Sequence, residues 1–309
     1  MTAEQHRTLK ALLTGKFCYA DCICACRLLA DAFDFLDFNY LGNSIMGHSI
    51  PLFTVGRGEK EIVYVGTHHG AERITGGLLL YFLAEFCSAA KGRRGICGVS
   101  PEYILHTRKL HVLPMLNVDG ADIAACGAPK DHLLTPRLLA MCKDGDFSHW
   151  QANARGVDLN HNYNAGFDAY RAAFPNYDET GGAPSRYAGL SPESEPETAA
   201  MAGFLRYRTP CALLTLHTQG REIYSTSGGK CPRQSPAAAK KLADLTGYAL
   251  KTPVGAAAYG GLTDYCITAL NLPAFTVECG KGQNPLPHTD LLSIYAEIRT
   301  ALFVFPTLF

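Results

Sequence analysis

The chain has 309 residues, 47% of them hydrophobic and 18% charged, with 28 basic and 28 acidic side chains and a pI near 7.1. That length can bury the core of one large α/β domain, and the balanced charge excludes recruitment of nucleic acid or an anionic membrane surface by a global field. No apolar run approaches the ~20 residues of a membrane span, and Met1-Thr2-Ala3-Glu4-Gln5-His6 lacks the basic-then-apolar layout of a signal peptide, so a cytoplasmic protein is expected. The 12 cysteines are scattered among apolar neighbours, which predicts free buried thiols rather than a disulfide framework.

In chain order, Cys18, Cys22 and Cys26 recur at helical spacing and predict a small-residue face packed on the core. Residues 1–39 read as an N-terminal helical segment packed on a catalytic domain of residues 40–309. Strands are predicted at 51–55 and 61–66, a helix at 73–89, a strand at 110–115 and a helix at 134–143. The stretch 160–190, rich in Asn, Tyr, Gly and Pro, has no clear period and is a candidate substrate loop. A helix over 192–206 is predicted from Ser191-Pro192-Glu193, which sets Pro and an acid at its first turn. Strands at 212–216, 222–225 and 274–278 and helices at 234–247, 263–270 and 289–303 complete the pattern. This alternation predicts an α/β fold, a single-domain mixed β-sheet flanked by helices on both faces.

The chemistry starts at the end of the run Ile62-Val63-Tyr64-Val65, in Gly66-Thr67-His68-His69-Gly70-Ala71-Glu72. An imidazole and a carboxylate three positions apart at a strand end can aim at one metal ion. A zinc hydrolase needs a third protein ligand and an open position. His217 ends the run Ala212-Leu213-Leu214-Thr215-Leu216 and would emerge at the same sheet edge if the two strands are parallel neighbours.

Two further segments carry candidates. In Arg155-Gly156-Val157-Asp158-Leu159-Asn160-His161, Asp158 either accepts the second N–H of a zinc-bound imidazole or caps an Asx turn. Asn160 and His161 would face substrate, and Arg155 is the nearest candidate for a fixed cation beside a developing oxyanion. Glu278 stands at the end of an apolar strand, where a carboxylate is costly unless it is used or paired. It is either a general base, moving a proton from metal-activated water to the leaving amine, or a salt-bridge partner.

Gly66 to Glu72, Asn117-Val118-Asp119-Gly120, Gly156 to Asn162, Leu216-His217-Thr218 and Thr276-Val277-Glu278 together resemble, in order, the motifs of the zinc carboxypeptidase family. The resemblance spans residues 40–305. It implies a carboxypeptidase-like α/β sheet, one Zn2+ per chain on His69, Glu72 and His217, and Glu278 as general base and acid.

Two departures bear on substrate. Family carboxypeptidases grip the terminal carboxylate with an Asn-Arg pair, and His161 holds the Arg place here. They also bring a Tyr over the substrate ahead of a Gly-Gly-x-x-Asp element; here that element is Gly260-Gly261-Leu262-Thr263-Asp264, and Ala256 stands at the Tyr place. Thr263 and Asp264 are expected on the substrate side. The Asn-His pair, the segment Asn43 to Pro51 and the run Gly280 to Pro287 are similar to a bacterial branch of γ-D-glutamyl-meso-diaminopimelate peptidases. The expected partner is therefore a peptide or muropeptide, with removal of C-terminal or acyl-linked amino acids from ordinary peptides as the alternative. The sequence leaves the oligomeric state open.

Overall fold

The computed structural model describes residues 1–174 and 181–309. Among these, eight strands form one sheet: β1 Leu36–Asn43, β2 Ser49–Val55, β3 Lys60–Val65, β4 Arg108–Leu113, β5 Ala212–His217, β6 Glu222–Tyr224, β7 Ala249–Lys251 and β8 Ala274–Glu278. Their spatial order is β1-β2-β4-β3-β5-β8-β6-β7. β3 runs parallel to β4 and β5, and β5 parallel to β8, while the β1, β2 and β4 edge is antiparallel. The two central strands are apolar without alternation because both of their faces are covered.

The helices are α1 Ala3–Thr14, α2 Tyr19–Ala32, α3 Ile74–Lys91, α4 Pro101–Thr107, α5 Val118–Cys126, α6 Thr135–Met141, α7 Phe167–Ala173, α8 Pro196–Arg208, α9 Ser235–Thr246, α10 Leu262–Leu270 and α11 Leu291–Val304. Leu214, Leu216 and Val277 line one small void with Leu242 of α9 and Ile298 and Leu302 of α11. On the other face Thr276 Oγ1 meets Thr263 Oγ1 of α10 at 2.7 Å. Since side chains alternate along a strand, Glu278 shares the α10 face with Thr276.

Leu9, Leu13, Phe17, Cys22, Cys26 and Leu29 of the N-terminal segment belong to the same apolar core as α3 and α11. A boundary between residues 39 and 40 falls inside β1. Cys22 and Cys26 point into that core, whereas Cys18 stands at the start of α2.

Three features differ from the sequence expectations. β1, β7, α4, α5 and α7 were not marked by a period; β1 and β7 are mostly exposed edge strands and the helices are short. The helix predicted from Ser191 begins instead at Pro196, because Ser194-Glu195-Pro196-Glu197 repeats the same start signal. Buried Asn162 holds the preceding turn out of the helix, donating to Ser191 O and accepting from Glu195 N–H. Finally, two helical stretches, Gly70–Lys91 and His288–Leu308, are long and apolar enough to cross a membrane, although 72% and 50% of their apolar windows are buried inside this molecule.

Phe17 is fully buried. Phe17→Ala is expected to lower stability by about 3–5 kcal/mol within one cooperative urea transition. Two separate transitions would show that the N-terminal segment folds apart from the sheet.

Candidate active site

The parallel pairing of β3, β5 and β8 brings their C-terminal ends to one edge, where His217 and Glu278 are register partners. After β3 the chain turns through His69 into a short 3-10 turn, Gly70–Glu72. This turn is pressed against the start of α5: a Cβ on Gly70 would lie 2.2 Å from Gly120 O. Asn117 ties the contact together, its Nδ2 donating to His68 O, Gln151 O and Ala152 O. The motif Asn117 to Gly120 is therefore a clamp that fixes the direction of His69 and Glu72.

Buried Glu72 stands between two imidazoles. Its Oε1 lies 3.0 Å from His69 Nδ1, and its Oε2 lies 3.1 Å from His217 Nδ1 and accepts the Thr218 N–H. Asn284 Nδ2 completes the shell at 3.3 Å from Oε1. Burial alone would raise the Glu72 pKa, but His69 and His217 override it and hold it down at about 2. Burial likewise opposes a charge on His69, and Glu72 and Asp158 overcome it, so the His69 pKa is raised well above the ordinary imidazole value. Asp158 Oδ1 sits 3.3 Å from His69 Nε2 while also accepting the Asn160 N–H.

One donor atom from each of His69, Glu72 and His217 lies within 4.8 Å of the others. Two nitrogens and a carboxylate oxygen, facing a cavity, suit zinc with an open position. Among the described residues His217 Nε2 is buried without a hydrogen-bond partner, while Nδ1 faces Glu72. Among the described residues Cys18, Asp122 and Cys126 also come within 4.8 Å, but Cys18 Sγ is engaged by Asp21 and Asp122 accepts the Tyr19 N–H.

His69 and His217 open onto a cavity of about 260 Å³ whose wall includes Glu278, Asn160, His161, Thr263, Asp264 and Ala256. Burial first, then the Glu72 charge, pushes the Glu278 pKa well up; a bound cation would draw it back down. Asn160 Oδ1 accepts the Leu262 N–H, which turns the amide NH2 to the free side. His161 Nδ1 meets Tyr259 O at 2.9 Å, and a carbonyl only accepts, so Nδ1 carries the proton. With Nδ1 engaged by Tyr259 O, only Nε2 of His161 is left for the cavity, one ring nitrogen where an arginine would present a two-pronged fork. Asp264 lines the cavity but binds the Gly261 N–H at the start of α10.

Arg155 is not in the wall. Its Nη1 pairs at 3.3 Å with buried Glu195, so its placement lends no support to the oxyanion role expected of it. Gln151, Arg186, Tyr224 and Thr276 do line the cavity, and no local pattern marks a role for any of them. Arg186 lies in the irregular stretch 160–190; residues 175–180 of that stretch lie outside the described residues.

Fold and site define a zinc metallopeptidase. The zinc carboxypeptidase family pattern matches residues 27–301, and the chain belongs to that family. It is 34% identical over 271 residues to gamma-D-glutamyl-L-diamino acid endopeptidase 1 of Lysinibacillus sphaericus, covering 87% of this chain and 67% of that protein. Among solved structures, carboxypeptidase A of Helicoverpa armigera superposes with a TM-score of 0.72 at 18% identity, over 94% of this chain and 73% of that one. Murein-tripeptide amidase MpaA from Escherichia coli O157 superposes with a TM-score of 0.52 at 22% identity, over 87% and 91%.

Two predictions follow from the electrostatics of the ligands. Because its raised pKa keeps His69 protonated in the metal-free protein at neutral pH, zinc uptake at pH 7 should release protons, and affinity should rise with pH until that pKa is passed. Calorimetry in buffers of different ionisation heat measures this; zero proton release would contradict it. Asp158→Asn should weaken zinc binding about 10–100-fold by chelator competition, since it removes the carboxylate behind His69. Unchanged affinity would remove Asp158 from the metal site.

Proposed function

We propose that the chain hydrolyses peptidoglycan-derived peptides at the γ-D-glutamyl-meso-diaminopimelate bond, with one zinc per chain on His69, Glu72 and His217. The single observation that carries the chemistry is the register pair His217–Glu278, which sets a carboxylate of raised pKa beside the ligand cluster. Zinc held there would supply Lewis acidity, polarising the scissile carbonyl and making water more acidic.

Glu278 then takes the proton from the attacking water and delivers it to the leaving amine, a transfer suited to a carboxyl whose burial narrows the gap between its two charge states. Asp158 keeps His69 in the tautomer that leaves Nδ1 free for the metal. Asn160 and Thr263 offer neutral polar groups to the peptide.

The substrate rests on position 161 and on the relative from Lysinibacillus sphaericus. His161, with Nδ1 bound to Tyr259 O, has one ring nitrogen left and offers no bidentate grip for the terminal carboxylate of an ordinary peptide. A cell-wall peptide has more than one polar handle and does not depend on that grip.

Glu278→Gln is expected to keep the fold and its zinc and to lose at least ~10²–10⁴-fold in turnover of L-Ala-γ-D-Glu-meso-diaminopimelate. In the wild type kcat/KM should fall as pH drops through the Glu278 pKa and the base is protonated, whereas the residual rate of the Gln variant should lack that limb. Full activity of the variant would rule out Glu278 as the base.

A further inference from the structure

We propose that Arg186 supplies the substrate-carboxylate contact that position 161 lacks, and so sets specificity for a peptide carrying a carboxylate beside the scissile bond. The inference rests on the cell-wall peptide reading above and adds to it the residue that does the recognising.

Among the described residues lining the cavity, Arg186 is the only arginine or lysine. Its side chain is exposed, and no described residue offers it an ion pair. The other titratable groups in the wall, apart from the histidines and Tyr224, are the carboxyl groups of Glu278, Asp158 and Asp264. An anionic peptide entering this cavity therefore meets one guanidinium besides the metal site.

The backbone of Arg186 is held from two sides. Its N–H donates to Asp158 Oδ2 at 2.9 Å, and its carbonyl accepts from Tyr170 Oη at 2.7 Å. Its φ of +64° lies in the left-handed region, which disfavours a residue with a Cβ by about 1 kcal/mol and persists only where its surroundings fix it. Both anchors belong to the site. The other oxygen of Asp158 contacts His69, and the Tyr170 ring stacks on His161 with centroids 4.1 Å apart. One carboxylate thus positions a metal ligand and this arginine, and one tyrosine joins the arginine to the imidazole whose Nδ1 is already taken by Tyr259 O.

A planar guanidinium with several N–H donors is suited to a carboxylate and gains little from a neutral amide oxygen. In L-Ala-γ-D-Glu-meso-diaminopimelate two sources flank the scissile bond. The γ-linkage leaves the α-carboxylate of the glutamyl residue free, and the diaminopimelyl residue carries its own carboxylates.

The test crosses Arg186→Gln with three forms of this tripeptide: unmodified, amidated at the glutamyl α-carboxyl, and amidated at the diaminopimelyl carboxyls. On the unmodified peptide the variant should lose about 10–100-fold in kcat/KM, mostly through KM, the range for hydrogen bonds to a charged group. The loss should shrink several-fold for whichever amidated form removes the carboxylate that Arg186 binds, which tells the two sources apart. Arg186→Lys should recover part of the loss, and zinc content in both variants should match the wild type. An equal fold-loss on all three peptides, or no loss, overturns the role of Arg186 while leaving the cell-wall reading in place. Failure of the wild type to cleave any of the three overturns that reading and this inference together.

Discussion

The site depends on one buried charge. A carboxylate taken out of water is strongly destabilising unless opposite charges and hydrogen bonds replace the lost hydration. Glu72 satisfies that demand with His69 on one oxygen and His217 and the Thr218 N–H on the other. These groups arrive from two different strands, so the arrangement exists only if β3 and β5 are parallel neighbours in the observed register. A mutual cage of one carboxylate and two imidazoles is also a cation site with its ligands already drawn together, which is why structural and chemical demands coincide there.

Around that cage the fold is a set of clamps. Asn117 joins the backbone of His68 to that of Gln151 and Ala152, and Asp119, two residues on, accepts from Ser44 Oγ, the Met46 N–H and His48 Nδ1. Two separated sequence motifs, Asn43 to Pro51 and Asn117 to Gly120, thereby meet through one buried carboxylate. Asp158 extends the same logic toward substrate, since its two oxygens reach His69 on one side and the Arg186 backbone on the other. One side chain thus ties His69 to the cavity wall at Arg186.

How much of this was legible before folding follows from range. The central strands and the long helices announce themselves because a two-sided burial or a 3.6-residue period is written locally, and β8 was placed at 274–278 as observed. His69, Glu72, His217 and Glu278 stand at strand ends, so a rule about parallel sheets brings them together. Arg155 and Arg186 show where local reading stops. Both are polar-loop arginines, and only the pairing of Arg155 with Glu195 and the anchoring of Arg186 by Asp158 and Tyr170 decide which one reaches the cavity. Asn284 is similar: its contact with Glu72 spans 212 residues of sequence. The start of α8 was ambiguous for a different reason, two Pro-based signals four residues apart, resolved by buried Asn162.

The cavity of this zinc peptidase is proposed to prefer cell-wall peptides to ordinary ones. The most direct measurement incubates the zinc-loaded protein with an equimolar mixture of L-Ala-γ-D-Glu-meso-diaminopimelate and an unmodified L-peptide, and follows both by mass. The account predicts free diaminopimelate and L-Ala-D-Glu, with the L-peptide intact and the reaction stopped by a chelator. Release of single C-terminal residues from the L-peptide, with the cell-wall tripeptide untouched, would contradict it.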